Sequence, residues 1–187
     1  MSILDQARAA IDQALEKGGR VILALEGGAA SGKTTLATAL GEMYHGSVIH
    51  MDEFFLPPAL RTPDRFTQPG GNIHSERFQI QVADPIRRQV PFTYEIFDCS
   101  IGAIKGKKKI GDERLIIVEG VYSLHPLYRD MYTLRFFLKT APETQDARLR
   151  ARGEWLYDRF QRDWLPMERA YFRAFQPEKS CDLILNT

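Results

Sequence analysis

Five short apolar segments are spaced along the chain, and each has the length of a β-strand. They span residues 21–25, 47–51, 114–120, 134–139 and 182–186. The first, Val21–Leu25, is an unbroken apolar run, which is typical of a strand buried on both faces. Helical periodicity appears between most of the segments. The alternation predicts an α/β fold with a doubly wound, mostly parallel sheet of about five strands and flanking helices.

The helical stretches have recognisable ends. Residues 3–15 form an amphipathic pattern with Ser2 as a candidate N-cap and two glycines, 18 and 19, as the stop. Residues 33–43 predict a second helix and residues 75–89 a third, which Asp84-Pro85 restarts. A long, Arg-rich helical stretch runs from Pro142 to about Phe175.

The middle of the chain departs from this alternation. Residues 56–71 carry four prolines and two glycines and predict an irregular loop, and long ordered loops are usually functional. Residues 93–98 and 100–104 are predicted as short strands and 105–111 as a basic turn, so that about 92–112 forms a small β-hairpin insert. We predict a single domain over residues 1–187.

Composition and charge exclude several classes of protein. The 187 residues hold 25 Lys and Arg against 24 Asp and Glu, a net charge of +1 that gives no global attraction for nucleic acid or acidic membranes. Two distant cysteines suggest neither a disulfide nor a zinc site. No leader pattern and no apolar run near ~20 residues is found, so we expect a cytoplasmic protein without a membrane partner. The oligomeric state stays open, a homo-oligomer included.

A glycine-rich motif joins the first strand to the second helix. Its residues are Gly27, Gly28, Ala29, Ala30, Ser31, Gly32, Lys33 and Thr34, followed by Thr35. The spacing G-x-x-x-x-G-K-[ST] between strand and helix is that of a phosphate loop, whose backbone N–H groups surround a phosphate at a helix N-terminus. Lys33 would reach the β- and γ-phosphates and Thr34 would ligate Mg²⁺. The motif predicts binding of a nucleoside triphosphate.

Two acids complete a candidate catalytic set. Asp52 follows the second strand, where an acceptor hydroxyl would approach the γ-phosphate, so it could take the proton or contact the metal through water. Glu119 ends the strand 114–120 and fits a metal-side carboxylate. The only asparagines, Asn72 and Asn186, do not precede a lysine, which excludes the base-reading motif of GTPases.

Arginines outnumber lysines by 17 to 8, and seven of them lie between residues 148 and 173. A helical lid carrying arginines can cover phosphates and exclude water during transfer. Arg148 and Arg152 share a helical face and are the candidates for that role, in a lid over about 148–165. For any single arginine, pairing with nearby acids on a solvated helix is the competing interpretation.

Taken in order, these segments resemble the uridine kinase-like branch of P-loop kinases, which includes uridine-cytidine, ribosylnicotinamide and pantothenate kinases and phosphoribulokinases. The anchors are Gly27–Thr34, Asp52-Glu-Phe-Phe, Glu119-Gly-Val and Phe175-Gln-Pro-Glu-Lys before the last strand. The similarity spans nearly the whole chain. It implies an ATP- and Mg²⁺-dependent kinase that phosphorylates a hydroxyl of a nucleoside-like or ribosyl metabolite.

The resemblance also implies roles for single residues. Asp52 would be the catalytic base, Lys33, Arg148 and Arg152 would stabilise the transferred phosphoryl group, and Thr34 and Glu119 would serve Mg²⁺. Tyr94 falls where uridine kinases place an aromatic residue beside the base, and we expect Phe54, His74 and Tyr94 to line the acceptor pocket.

Two departures from the family pattern concern the acceptor. Cys99 stands where uridine-cytidine kinases read the pyrimidine with a histidine, and His74 stands near the position of their ribose-binding Asp. The alternatives are therefore a kinase for another acceptor, such as pantothenate or a sugar phosphate, and a nucleotide-binding regulatory module without kinase activity. Electrostatic binding of nucleic acid by the lysines of 105–109 is a weaker third hypothesis.

Overall fold

The computed structural model describes the whole chain, Met1–Thr187, with seven strands in two sheets. The strands are β1 (Val21–Gly27), β2 (Ser47–His50), β3 (Phe92–Asp98), β4 (Ala103–Ile110), β5 (Leu115–Glu119), β6 (Leu134–Lys139) and β7 (Leu183–Asn186). The central sheet is parallel, in the order β2-β5-β1-β6-β7. The carboxyl ends of its strands meet at one edge, the place where open α/β sheets bind ligands. The predicted fold class is confirmed.

Helices cover both faces of this sheet. They are α1 (Ile3–Glu16), α2 (Lys33–Tyr44), α3 (Pro63–Thr67), α4 (Ser75–Phe78), α5 (Asp84–Arg87), α6 (Pro142–Arg150), α7 (Glu154–Arg159) and α8 (Leu165–Phe175). Successive side chains of β1 enter different cores: Leu23 packs in a cluster of 13 buried residues that includes residues of α1 and α2, and Ala24 in a cluster of 21 on the other face. This double burial explains why β1 is apolar without alternation.

The basic segment of the hairpin lies on a strand, and the prediction of a basic turn was wrong. β3 pairs with β4 antiparallel, and residues 99–102 form the turn between them. Lys105 and Lys107, on the exposed face of β4, pair with Asp98 and Glu95 of β3 at 3.0 and 3.6 Å. These cross-strand charge pairs favour the extended conformation over a turn.

Both long helical stretches contain a π-turn directly before a proline. The amide of Asp84 donates to the carbonyl of Gln79, and the amide of Leu165 donates to that of Phe160. A proline one residue later lacks an N–H and crowds the preceding turn, which a wider turn accommodates. The stretch 142–175 is also broken at Gly153, whose φ is 101°. The predicted long helical stretch is therefore a set of shorter helices.

The Pro- and Gly-rich segment is more ordered than a plain loop. It contains a 3₁₀ turn, Pro58–Leu60, and the helix α3, capped by the Thr62 hydroxyl. At Gly71 an added Cβ would lie 1.8 Å from the Arg65 carbonyl oxygen, so only glycine fits there. None of the helices combines the length and apolar character that crossing a bilayer requires.

Candidate active site

The glycine-rich loop connects β1 to α2 at the ligand-binding edge of the sheet. Gly27 and Gly32 have φ angles of 150° and 93°, and a Cβ at Gly27 would lie 2.5 Å from the Leu138 carbonyl oxygen. The Lys33 ammonium folds back over the loop, donating to the Gly28 carbonyl at 2.7 Å and to the Ser31 hydroxyl at 3.3 Å. These contacts place a positive charge against the loop, as a phosphate site requires.

A cavity of about 230 Å³, called the phosphate cavity below, opens beside this loop. The loop and the start of α2 line it with Ala29, Ala30, Lys33 and Thr34. Asp52, Glu119 and Arg152 line it as well, so the structure brings together most of the residues predicted for phosphate, metal and catalysis. Thr35 lies exposed on the first turn of α2, outside the lining.

Glu119 and Thr34 meet at the end of β5. The Thr34 hydroxyl donates to Glu119 Oε1 at 3.1 Å, and His50 Nδ1 lies 2.6 Å from the same oxygen. The hydrogen bond to Glu119 raises the pKa of His50. This contact of His50 has no local sequence signal, because it follows from the pairing of β2 with β5, where His50 is the register partner of Glu119.

Asp52 lies in a 3₁₀ turn (Met51–Phe54) that follows β2. Its carboxylate opens to the cleft, but protein encloses it on most sides, and this desolvation raises its pKa. The nearby negative charge of Glu119 raises the pKa further, whereas the charge of Lys33 lowers it. Two acids that face each other across a small cavity form an arrangement that a bound cation would stabilise.

The residues present fit a magnesium ion. No cluster of three or more His, Cys, Asp or Glu side chains forms a cage for a metal. Mg²⁺ in phosphate-transfer sites is commonly held by one or two carboxylates together with substrate phosphates and water, with a hydroxyl in phosphate-loop proteins. Thr34, Glu119 and Asp52 supply that hard-oxygen set at the wall of the phosphate cavity.

A second, larger cavity of about 670 Å³ adjoins the first and is called the acceptor cavity below. Asp52, Phe55, Asn72 and Trp164 line both cavities. The remaining walls come from segments far apart in sequence: the loop after Asp52, the turn of the hairpin and the lid. Charged side chains of both signs line it, namely Glu53, Arg61, Asp98, Lys105, Arg159 and Asp163.

The three predicted acceptor-binding residues lie behind this wall. Phe54 and Tyr94 are fully buried and stack at 5.4 Å between ring centroids. His74 caps α4 and lies 3.2 Å from Glu76. None of the three lines either cavity. Tyr94 instead donates a hydrogen bond of 2.6 Å to Glu53, which does line the acceptor cavity.

The lid places its arginines unevenly. Arg148 donates to the carbonyl of Ala30 in the loop at 3.2 Å, and Arg152 lines the phosphate cavity. Arg150 instead pairs with Asp146 of α6, and Arg162 pairs with Asp163 within the lid. Arg150 and Arg162 therefore match the interpretation of pairing with nearby acids, whereas Arg148 and Arg152 stay the candidates for contact with phosphate.

A buried carboxylate supports the loop from below. Glu26 is the penultimate residue of β1 and is fully buried, where it accepts hydrogen bonds from the amides of Gly27 and Leu124 and from the Tyr171 hydroxyl. Burial raises the pKa of Glu26 to about 7, although the three donors and Lys33 oppose that shift. Glu26 thereby links the start of the loop to Leu124, which follows β5, and to Tyr171 of α8.

The fold of this chain has counterparts among solved structures. No family model and no curated protein matches the chain. Among solved structures, a possible uridine kinase from Bacillus stearothermophilus is 21% identical with a TM-score of 0.70, covering 96% of this chain and 99% of that one. A proposed fructose transport system kinase from Silicibacter sp. TM1040 is 24% identical with a TM-score of 0.76, covering 98% of both chains.

A third match is D-glycerate 3-kinase from Cryptococcus neoformans, 12% identical with a TM-score of 0.60, covering 97% of this chain and 88% of that one. At such identities the likeness concerns the fold. The chain shares the α/β fold of these solved structures, which are named as kinases, and the predicted fold is confirmed.

Proposed function

We propose that this protein is an ATP-dependent kinase that transfers the γ-phosphoryl group to a hydroxyl of a small nucleoside-like or ribosyl metabolite. The observation that carries the proposal is the position of Asp52, which lines both the phosphate cavity and the acceptor cavity. A hydroxyl reacting with a γ-phosphate must meet it at such a junction, with a proton acceptor beside it. A module that only binds nucleotide has no need of the second cavity.

The residues around the junction have complementary tasks. The loop amides and Lys33 would hold the phosphates of ATP, and Arg152 would neutralise charge that develops during transfer. Asp52 would orient the acceptor hydroxyl and take its proton. Mg²⁺, held by Thr34 and Glu119 with Asp52 nearby, would neutralise phosphate charge when bound. The lid segment at Trp164 would limit access of water.

The acceptor itself is assigned only as a class. The cavity of about 670 Å³ offers aromatic walls at Phe55 and Trp164 beside charged groups of both signs, which suits a polar metabolite with a ring or a short carbon chain. The matched structures are named as a uridine kinase, a fructose transport system kinase and a D-glycerate 3-kinase. Uridine, fructose and D-glycerate all carry hydroxyls, so these three compounds belong in the test panel.

The test is an assay of ATP consumption against uridine, cytidine, nicotinamide riboside, pantothenate, fructose, D-glycerate and sugar phosphates, followed by Asp52→Asn on the best acceptor. We expect Asp52→Asn to lower kcat by about 10²–10⁴-fold, because the proton acceptor is lost. ATP binding, measured by calorimetry, should be retained, because the loop amides and Lys33 are unchanged.

Asp112→Asn is the matched control, because Asp112 is an exposed acid whose only ion pair is with Arg20 at 3.5 Å. It should leave turnover unchanged. Normal turnover in Asp52→Asn would remove Asp52 from the mechanism. ATP binding without phosphorylated product from any member of the panel would favour the regulatory module.

A further inference from the structure

A carboxylate of α8, the helix that follows the lid, contacts the phosphate loop directly. Glu168 of α8 accepts a hydrogen bond of 2.8 Å from the amide of Ala29. Gln145 of α6 braces this contact, because its side-chain amide lies within 2.9 Å of the Ala29 carbonyl oxygen and 3.3 Å of Glu168 Oε1. One residue of the loop is thus held on both its donor and its acceptor side by α6 and α8.

The loop sequence accommodates this contact. A Cβ at Gly28 would lie 2.9 Å from both Gln145 Nε2 and Glu168 Oε1, so a larger residue would push both side chains away. Glu168 is only 6% exposed, yet it lines the phosphate cavity together with Lys33. Burial raises its pKa, while the Ala29 amide and the charge of Lys33 favour the ionised form.

Glu168 therefore interacts with two groups that would bind a polyphosphate, namely the Ala29 amide and the charge of Lys33. An anion-binding loop concentrates backbone N–H dipoles and one ammonium in a small volume. A carboxylate that already accepts from one of these amides and faces the same ammonium reduces the positive field left for a ligand. Two negative charges held a few ångströms apart in a partly buried site repel each other strongly.

We propose that Glu168 is a positioning residue whose carboxylate acts as an internal counter-anion of the phosphate loop and weakens polyphosphate binding. The proposal rests on the proposed function, because it takes the loop to be the site of the phosphate donor. A donor that enters the loop pushes against a residue of α8, the helix that follows the lid, so binding and lid position are coupled. Weak retention also favours release of the product nucleotide.

The test uses inorganic pyrophosphate as the probe, without any acceptor, and calorimetry on the full chain. Glu168→Gln keeps an acceptor oxygen for the Ala29 amide and removes the charge. We expect its pyrophosphate Kd to fall about tenfold below that of the wild type. Glu168→Met, which fills the same buried volume without a charge, should also bind more tightly and serves if the Gln variant does not fold.

The matched control is Glu178→Gln, which removes one negative charge on the surface, where Glu178 pairs with Lys139 at 3.4 Å. Its pyrophosphate Kd should equal that of the wild type. A bracing role alone would leave affinity unchanged or weaken it in the Glu168 variants, and that result would overturn the proposal. If neither the wild type nor any variant binds pyrophosphate, the phosphate-loop function fails as well, which distinguishes the two failures.

Discussion

The two cavities that meet at Asp52 are built in different ways. The phosphate cavity is built around one contiguous segment, Gly27–Thr34, and side chains from other segments, such as Asp52 and Glu119, complete its wall. The backbone of that segment is fixed by tight contacts such as that of Gly27 with the Leu138 carbonyl. The acceptor cavity is assembled from side chains of the segment 52–72, the turn of the hairpin and the lid. The first cavity is centred on the backbone of one loop, and the second is assembled from distant segments by tertiary packing.

Because of this difference, binding of the phosphates and recognition of the acceptor would depend on separate parts of the site. A phosphate presents the same oxygens in every nucleotide, so a nest of backbone amides serves any of them. An acceptor must be distinguished by shape and by individual hydrogen bonds, and side chains on loops can change without disturbing the sheet. We therefore expect substitutions on the phosphate side to affect every substrate alike, and substitutions on the acceptor side to change KM for some acceptors only.

Among substitutions confined to one of the two cavities, Lys33→Met should have the largest effect. It removes the ammonium of the phosphate cavity, and we expect turnover to fall about 10²–10³-fold with every acceptor, because one preorganised charge on the transferred group is lost. Lys107→Met is the matched control: Lys107 lies on β4, 67% exposed and outside both cavities, and its turnover should be within about twofold of the wild type. A loss confined to some acceptors would contradict the proposed division of labour.

The same difference explains what could be predicted from the sequence. The order of strands and helices and the phosphate loop follow from local patterns: apolar runs, glycine spacing, and a lysine at the start of α2. Asp52 and Glu119 could be proposed as site residues because the carboxyl ends of parallel strands meet at one edge of the sheet. The structure brings these acids to one cavity with Lys33.

The acceptor side could not be predicted in this way. The motif Asp52-Glu-Phe-Phe offers two adjacent aromatic residues, and only the packing of the 3₁₀ turn decides that Phe54 enters the core while Phe55 lines both cavities. Likewise, Asn72 rather than His74 reaches the junction, because an isolated bridge joins Phe55 to Ile73 and fixes the direction of that segment. The contact of Glu168 with Ala29 spans 139 residues and leaves no local signal.

The next largest effect concerns the pH dependence of the unfolding free energy, to which Glu26 beneath the phosphate loop should contribute. Folded Glu26 has a pKa of about 7 against an ordinary 4.5, so between these values the folded state holds a proton that the unfolded state has lost. Its contribution is complete below about pH 4.5 and is lost as the pH rises through about 7. The unfolding free energy should therefore fall by up to about 1.4 kcal/mol per pH unit in this window.

Denaturant unfolding of the wild type and Glu26→Gln at pH 5, 6, 7 and 8 measures this slope, which should be flatter in the variant. Glu76→Gln is the control of opposite sign, because Arg65 lowers the pKa of Glu76 to about 2 and its contribution is lost only as the pH falls below about 4.5. It should match the wild-type slope from pH 5 to 8. Equal slopes for Glu26→Gln would mean that its three donors outweigh burial.

The smallest effect should come from Tyr94→Phe, which tests the acceptor side. The Tyr94 hydroxyl holds Glu53 in the wall of the acceptor cavity without reaching the cavity itself. Its loss removes one hydrogen bond to a charged group, so Glu53 becomes free to adopt other rotamers. We expect the KM for the acceptor to rise about 3–10-fold, with the pyrophosphate Kd unchanged.

Tyr44→Phe is a close control, since the Tyr44 hydroxyl also donates to an acid at 2.6 Å, namely Asp12, but far from both cavities. Both substitutions remove the same hydroxyl from the same kind of pair, so a general cost to folding would appear in both unfolding curves. Only Tyr94→Phe should change the KM for the acceptor. An equal change in pyrophosphate affinity would show that the two cavities are not independent, because the packing around Phe54 would then transmit the loss to Asp52.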